Sequence, residues 1–246
     1  MNMIRLDKFL ADMGCGSRAE VKQFIRKGRA EVNGVTVKSP DYKVNPETDR
    51  VVFCNEEISY TEYEYYLLNK PAGVITATED SRERTVLDLI RSKRRKDLFP
   101  AGRLDKDTEG LLLITNDGPL AHNLLAPGKH VSKTYYARID GTVTEEDVAM
   151  FKEGVDIGDP RLTLPADLRI LSSGPESVIE LTITEGRFHQ VKRMFEAKGK
   201  KVLYLKRISM GSLKLDPTLA PGEYRALTEK EIRELTENKS NNFSIN

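Results

Sequence analysis

Residues 102–118 combine side chains that could do chemistry with a segment that could hold them. Asp105 carries a carboxylate and Arg103 a guanidinium, and both lie in a polar loop. The loop leads into the apolar run 111–115, which predicts a buried strand, and then into an Asn-Asp-Gly turn. A polar loop tied to a buried strand holds reactive groups still while leaving them open to substrate. Loops also carry Asp and Gly simply to turn the chain, and spacing alone favours that structural role.

Two other segments carry side chains of catalytic type. Residues 133–136 include Tyr135, and residues 186–195 include Lys192. Each lies beside a predicted core strand or helix, but spacing cannot show that they meet Asp105. Taken alone, Tyr135 is most often a strand residue with a solvated hydroxyl, and Lys192 is most often a solvated helix lysine.

Metal chemistry is the less favoured interpretation of the acidic and histidine residues. Asp105, Asp107 and Asp117 could suggest a Mg²⁺ site, but Asp117 belongs to an Asn-Asp-Gly turn that needs no ion. His189 has only two other histidines in the chain and no ligand spacing, so we interpret it as structural or RNA-contacting. We therefore expect no metal ion.

Length and composition exclude several classes of protein. The 246 residues suffice for one large domain or two smaller ones with a real core. Cys15 and Cys54 form no CxxC pair, so a disulfide framework or a thiolate zinc site is not expected and a reducing compartment fits best. Without a long apolar run or a signal-peptide pattern, the expectation is a soluble cytoplasmic protein without a membrane partner.

The charge distribution says more than the net charge of +1. Between residues 5 and 29 there are seven basic residues against three acids, and further basic clusters lie at 91–96 and 198–207. Basic clusters are usually solvated surface, but three in a near-neutral chain make an RNA or DNA partner equally plausible.

Residues 1–60 predict a small separate domain. Ser17 and Glu20 form a capping box at the head of a second short helix, and residues 30–37 predict a hairpin around Asn-Gly. The apolar residues of the first helix recur at helical spacing: Leu6, Phe9, Leu10 and Met13.

One face of the second helix predicts a phosphate-binding surface. Arg18, Lys22 and Arg26 recur every four residues and form a basic ridge. The strings 5–10, 17–20 and 25–34 resemble the S4 RNA-binding domain over most of residues 3–45. The plainer alternative is an amphipathic helix pair with a solvated face.

Residues 61–240 predict a larger domain of mixed composition, joined through a polar connector at 55–62. Strands are predicted at 65–69, 111–115, 133–139, 168–171, 178–184, 202–208 and 224–227. Helices are predicted at 144–154, at 189–197 and after the Thr228/Glu231 cap, and residues 238–246 are expected to fray. Strands outnumber helices without regular alternation, which predicts an α+β fold with a mainly antiparallel mixed sheet and flanking helices.

Five strings together resemble the pseudouridine synthases, and among them the RsuA family. They are residues 67–74, 85–89, 102–118, 133–135 and 185–195. The resemblance implies an isomerase that converts uridine to pseudouridine in structured RNA, with no cofactor or metal. It also implies a small S4-like α/β RNA-binding domain (1–60) followed by a pseudouridine synthase catalytic domain (61–240).

Three residues match the family's catalytic positions. Asp105 matches the catalytic aspartate, which acts on C1′ of the ribose as a nucleophile or as a stabiliser of cationic character. Lys192 matches the basic position, whose cation opposes the unfavourable effect of burial on an ionised carboxylate. Tyr135 matches the active-site tyrosine, whose ring can stack on the flipped uracil and whose hydroxyl could help to move the C5 proton.

RNA contacts are expected from further basic residues. The target base must leave the RNA stack, and Arg103 could fill the vacated space or bind phosphate. Arg187 and Arg193 lie near Lys192 in sequence and remain open as RNA-binding or active-site cations. With Arg18, Lys22 and Arg26 they complete the expected RNA-binding set.

The substrate expected from the resemblance is ribosomal RNA, free or in an assembling subunit, bound by a monomer. The string 73–80 and the short C-terminal tail look more like the small-subunit (16S) enzyme than the large-subunit (23S) one. A sister enzyme of large-subunit rRNA stays open, as does a non-catalytic assembly factor, although the latter needs no Asp105, Tyr135 and Lys192. A carboxylate-pair glycosidase would need Glu109 as its second acid and leaves the S4-like module unexplained.

Overall fold

The computed structural model describes residues 3–92 and 94–237, which fold as two compact units. The first unit extends to Glu64 and also contains Arg91–Leu98. The second contains Tyr65–Ile90 and the described chain from Phe99 onward. None of the helices in these ranges is long and apolar enough to cross a membrane. The predicted frayed tail, 238–246, lies outside the described residues.

The first unit is a helix pair with a small sheet. Its elements are β1 (Ile4–Arg5), α1 (Leu6–Asp12), α2 (Arg18–Arg26), β2 (Ala30–Val32), β3 (Val35–Val37), β4 (Lys43–Val44), β5 (Val51–Phe53) and β6 (Glu56–Ile58). The sheet order is β3-β2-β5-β6, and β1 pairs with β4. The predicted capping box and hairpin are confirmed, with Asn33 and Gly34 both left-handed as a two-residue turn requires.

The prediction of a connector at 55–62 was wrong at its start. Residues Glu56–Ile58 form β6, which pairs with β5 at the edge of the sheet. Cys54 and Asn55 both have left-handed backbones and make the tight turn between the two strands. The two glutamates of β6 are exposed, and charge on a short edge strand is ordinary because that edge faces water.

The second unit is a nine-stranded sheet with flanking helices. Its strands are β7 (Tyr65–Lys70), β8 (Phe99–Pro100), β9 (Glu109–Thr115), β10 (Lys133–Asp140), β11 (Asp167–Ser172), β12 (Glu176–Ile183), β13 (Lys201–Met210), β14 (Leu213–Lys214) and β15 (Tyr224–Ala226). Its α-helices are α3 (Gly118–Leu125), α4 (Glu145–Glu153), α5 (Gln190–Glu196) and α6 (Glu229–Glu237), and short 3-10 turns lie at Val86–Leu89 and Pro127–Lys129. The main strand order is β11-β12-β10-β13-β9-β7-β15.

The predicted α+β fold with a mainly antiparallel sheet is confirmed. Along the main path only β13 and β9 pair in parallel. Helix α3 was not predicted, and Asp117 is its N-cap rather than a simple turn residue, because its Oδ1 accepts from the Leu120 amide at 2.9 Å. Asp and Asn are favoured both in turns and as N-caps, so the Asn-Asp-Gly string could not distinguish a turn from the start of a helix.

Gly110 lets the loop of Asp105 enter the sheet directly beside β13. It pairs with Arg207 and has a φ of +99°, and a Cβ built on it would lie 2.3 Å from the Arg207 carbonyl oxygen. Only glycine fits so close a backbone approach. The loop before β9 is thereby held at the junction of β9 and β13.

Candidate active site

Asp105 and Lys192 form an ion pair between the loop before β9 and the first turn of α5. The Lys192 Nζ lies 3.0 Å from Asp105 Oδ2 and 2.7 Å from Asp107 Oδ1. The Asp105 side chain keeps 27% of its surface exposed and Lys192 keeps 19%. One ammonium is therefore shared by two carboxylates in a site that is shielded but still open.

The charges at this site support one another. Burial by itself lowers the pKa of Lys192, but its hydrogen bonds to Asp107 and Asp105 outweigh burial and raise that pKa above its usual value. The hydrogen bond from Lys192 lowers the pKa of Asp107 in turn. At neutral pH the lysine is an ammonium and Asp107 is a carboxylate.

His189 contacts the same aspartate. Its Nε2 lies 3.5 Å from Asp105 Oδ1, and its ring stacks on Phe188 with centroids 3.7 Å apart. His189 precedes α5 as its N-cap with a left-handed backbone, φ 49°. Sequence reasoning interpreted His189 as structural or RNA-contacting, and no pattern of residue types signals its contact with Asp105.

Lys70 is a buried lysine that anchors the loop of Asp105. It ends β7 with no solvent exposure, and its Nζ donates to the backbone carbonyls of Pro71 (3.0 Å), Asp105 (3.0 Å), Lys106 (3.3 Å) and Thr108 (2.8 Å). An ammonium has three N–H donors, so one of them is shared. The loop is thus wrapped around a single buried cation.

Burial lowers the pKa of Lys70 to about 8, against the attraction of Asp107, Asp105 and Glu109. The protonated form predominates below that pH. Sequence reasoning placed Lys70 just after the predicted strand 65–69 and within the family string 67–74, and gave it no role of its own. Most of its backbone partners lie far along the chain, and no pattern of residue types signals them.

Two more contacts fix the loop from the segment after β7. Thr76 Oγ1 donates to the Leu104 carbonyl at 2.7 Å and accepts from the Leu104 amide at 3.2 Å. The Gly73 amide donates to the Lys106 carbonyl at 2.8 Å. The backbone on both sides of Asp105 is therefore held by neighbouring residues, by the Thr76 side chain on one side and the Gly73 amide on the other.

Tyr135 lies on β10, with Leu181 and Arg207 as its cross-strand partners. Its side chain is buried, with 8% of the residue surface exposed. Its hydroxyl makes no hydrogen bond with any of the described residues. A phenol without a protein partner is free to meet a ligand.

Comparison with known proteins decides the family. Residues 64–197, more than half of the chain, match the family described as RNA pseudouridylate synthase, and residues 4–51 match the S4 domain. The chain belongs to the RsuA-like pseudouridine synthases. It is accordingly an isomerase with an N-terminal S4 RNA-binding domain, as the resemblance implied.

The synthase is similar to several proteins over nearly its whole length. A Bacillus subtilis protein, the uncharacterized RNA pseudouridine synthase YtzG, is 50% identical over 95% of this chain and 99% of its own. The ribosomal small subunit pseudouridine synthases A of Vibrio cholerae and Escherichia coli are 42% and 40% identical, each over 93% of this chain and 98% of their own. A crystal structure of a pseudouridylate synthase, 39% identical, aligns with a TM-score of 0.67 over 94% of this chain and 99% of its own.

The arginines flanking Lys192 in the synthase are engaged inside the protein. Arg187 pairs with Glu185 at 3.0 Å and donates to two loop carbonyls at 2.7 Å. Arg193 pairs with Asp159 at 2.6 Å and donates to the Phe188 carbonyl at 3.2 Å. These contacts brace the segment before and within α5, and RNA binding by either arginine stays a prediction.

Arg103 differs from that pair. Its side chain is exposed, two residues before Asp105 in the same loop. It forms no ion pair within residues 3–92 and 94–237. A guanidinium that the described protein leaves unused can serve phosphate or an RNA stack, so the RNA-contacting prediction for Arg103 fits its placement.

The cations of the S4 unit gather around a buried carboxylate that sequence reasoning overlooked. Asp7 is fully buried, and its oxygens lie 3.0 Å from Arg5, 3.5 Å from Arg18 and 3.7 Å from Lys22. Burial alone raises the pKa of Asp7, but Arg5 and Arg18 outweigh it and lower that pKa. Arg26 is exposed and takes no part in this cluster.

The second acid of the glycosidase alternative is occupied elsewhere. Glu109 Oε2 accepts a hydrogen bond from the Tyr204 hydroxyl at 2.8 Å. Burial first, and then this hydrogen bond, raise the pKa of Tyr204, so the phenol stays protonated and donates to Glu109. The family assignment makes the chain an isomerase and removes the reason for a glycosidase.

Proposed function

We propose that this synthase isomerises one uridine of ribosomal RNA, that the RNA is that of the small subunit (16S), and that Asp105 is the catalytic carboxylate. The observation that carries the catalytic part is the 3.0 Å pair of Asp105 with Lys192 in a loop that Lys70 ties down. The RNA part is supported by relatives named ribosomal small subunit pseudouridine synthase A, which are similar to 93% of this chain.

The reaction cleaves one glycosidic bond and forms another. The bond between ribose C1′ and uracil N1 breaks, the base turns, C5 bonds to C1′, C5 loses its proton and N1 gains one. Asp105 acts on C1′ as a nucleophile or as the anion that stabilises a cationic sugar. Both roles require an ionised carboxylate, and the ammonium of Lys192 lies 3.0 Å from that of Asp105.

Tyr135 acts on the base in this proposal. Its ring offers a stacking surface for the uracil once it has left the RNA helix. Its hydroxyl has no partner among the described residues, which leaves it available to help remove the C5 proton. Arg103, exposed in the loop of Asp105, takes the vacated space in the RNA or binds its phosphate.

The two domains divide the work. Residues 1–60 are proposed to grip RNA through Arg18, Lys22 and Arg26, while residues 61–240 carry the chemistry without a metal or cofactor. The partner is ribosomal RNA or an assembling subunit, met by a monomer in the cytoplasm.

Pseudouridine mapping of ribosomal RNA tests this function. RNA is compared from cells with the gene, from cells without it, and from deleted cells that carry either the wild-type gene or the Asp105→Asn variant. We expect one 16S pseudouridine to disappear on deletion and to return with the wild-type gene alone. Loss of a 23S pseudouridine instead would identify large-subunit RNA as the substrate, and an unchanged pattern would exclude ribosomal RNA as the substrate.

A further inference from the structure

The ring of Phe188 is unusually exposed. With 73% of its surface in water, it is the most exposed large hydrophobic residue in the part of the chain that the structure describes. Phenylalanine is normally buried, and an exposed aromatic ring beside a catalytic site is more informative than an exposed aliphatic residue.

One face of this ring is already stacked within the protein. Phe188 and His189 lie with ring centroids 3.7 Å apart and planes inclined by 19°. His189 in turn places Nε2 3.5 Å from Asp105 Oδ1. The remaining surface of Phe188 therefore faces solvent one residue from a side chain that touches the proposed catalytic carboxylate.

The backbone around Phe188 is held in place. Its carbonyl accepts from Arg193 Nη1 at 3.2 Å, and the preceding amide, that of Arg187, donates to Gln190 Oε1 at 2.9 Å. His189 is left-handed at φ 49°, a conformation that non-glycine residues keep only where surrounding contacts demand it. A braced ring loses little freedom when a ligand stacks on it.

We propose that Phe188 is a positioning residue whose exposed face stacks an unpaired nucleobase directly beside the target uridine. The proposal rests on the proposed function, since it places Phe188 next to Asp105 as the reacting centre. Withdrawing a uridine from an RNA stack leaves its neighbour unstacked on one side. With Arg103 binding phosphate, the fixed aromatic face of Phe188 replaces that lost stack, and because every base has a π-face it does so with little sequence preference.

The test uses the full-length enzyme and the ribosomal RNA fragment identified by mapping. Phe188→Leu removes the π-face but keeps an apolar side chain, Phe188→Tyr keeps the face, and Leu203→Ala alters another exposed apolar residue of the same unit. We expect Phe188→Leu to raise KM about tenfold, in line with the loss of one base stack. The kcat of Phe188→Leu should change far less, and Phe188→Tyr and Leu203→Ala should match the wild type in both KM and kcat.

A spectroscopic arm reports stacking directly. Fragments carry 2-aminopurine immediately 5′ or 3′ of the target uridine, and binding is followed by fluorescence. Wild type and Phe188→Tyr should quench one of the two labels, and Phe188→Leu should leave that label bright. The stacking role of Phe188 would be overturned if wild type and Phe188→Leu showed equal quenching and equal KM. It would also be overturned if Phe188→Leu kept the wild-type KM while Phe188→Tyr did not.

Failure of the stacking role of Phe188 is distinguishable from failure of the proposed function. If Asp105→Asn keeps full activity, the catalytic assignment fails, and Phe188 no longer lies beside the reacting centre. If Asp105→Asn is inactive while Phe188→Leu behaves as wild type in both the kinetic and the fluorescence experiments, only the stacking role of Phe188 is wrong.

Discussion

The buried ammonium of Lys70 lies 3.0 Å from the backbone carbonyl oxygen of Asp105, while the side chain of Asp105 pairs with Lys192 at the same distance. One lysine holds the backbone of the proposed catalytic residue and another holds its carboxylate. The first cation is fully buried and the second is partly exposed. Positioning and charge compensation are thus assigned to different side chains.

Lys70→Met should weaken catalysis more than RNA binding. Without the ammonium, the carbonyls of Pro71 and Thr108 lose this donor, and a buried carbonyl left without a partner costs about 1–3 kcal/mol. The carbonyls of Asp105 and Lys106 keep the amides of Thr108 and Gly73 as donors, but they lose their link to β7. We expect a lower melting temperature and a kcat reduced by at least about tenfold, since small misplacements of reacting groups are costly. Thermal melts and single-turnover rates measure both, and an unchanged kcat would remove the anchoring role.

The same lysine predicts a pH dependence. Because burial lowers the pKa of Lys70 to about 8 from 10.5, the wild-type side chain is mainly charged below pH 8 and neutral above it. A neutral amine donates only two hydrogen bonds, so the wild-type kcat should decline as the pH rises from 7 to about 9. The residual activity of Lys70→Met should lack this decline. A parallel decline in both proteins would assign it to another group.

Asp105→Asn should abolish isomerisation while sparing RNA binding. The amide keeps the shape of the side chain but cannot act on C1′ as an anion, so the rate should fall by at least about a thousandfold. Lys192 retains Asp107 as a partner, and stability should change by less than about 1 kcal/mol because the lost pair is partly exposed. Tritium release from C5-labelled RNA and a filter-binding assay measure rate and affinity. Substantial tritium release by the variant would end the catalytic assignment.

Asp107→Asn provides a contrast with Lys192→Met. Asp107 holds the closer contact to Lys192, and its removal leaves that ammonium to Asp105 alone. We expect Asp107→Asn to keep kcat within about threefold, whereas Lys192→Met should lose about 10- to 100-fold, as expected for a charge-assisted hydrogen bond. Single-turnover kinetics on one RNA compares them. Equal losses would mean that Asp107 itself takes part in the reaction.

Features with local causes were predictable from sequence. Ser17 and Glu20 form the expected reciprocal cap, with hydrogen bonds of 2.8 and 3.3 Å, because capping depends on residues three apart. The hairpin at Asn33 and Gly34 depends only on their tolerance of left-handed backbone. The strand of residues 111–115 was visible because burial on both faces requires a continuous apolar run.

The missed features depend on contacts between distant residues. Lys70 binds backbone carbonyls some 35 positions away, and such partners leave no mark on side-chain types. Asp7 becomes a centre of cations only when Arg18 and Lys22 pack over it. The pairing of Asp105 with Lys192 was expected only through a family resemblance, because the two lie on separate elements and spacing could not join them.

Asp7→Asn separates two accounts of RNA binding by the S4 unit. The substitution removes one negative charge, so charge alone predicts tighter binding to RNA. Arg5, Arg18 and Lys22, however, lose the carboxylate that gathers them, and dispersed cations pay more conformational entropy when they meet phosphate. We expect RNA affinity to fall several-fold at a fixed salt concentration, with the free energy of unfolding lower by about 1–3 kcal/mol.

Glu31→Gln is the matched control for Asp7→Asn. Glu31 is exposed on β2 of the same unit and makes no ion pair with the described residues, so its substitution changes the charge equally without releasing the cations. Affinity of both variants is measured across a salt series, at a temperature where both are folded. Glu31→Gln should bind RNA as tightly as the wild type or slightly tighter. If Asp7→Asn does the same, the cluster acts through its net charge and Asp7 does not organise it.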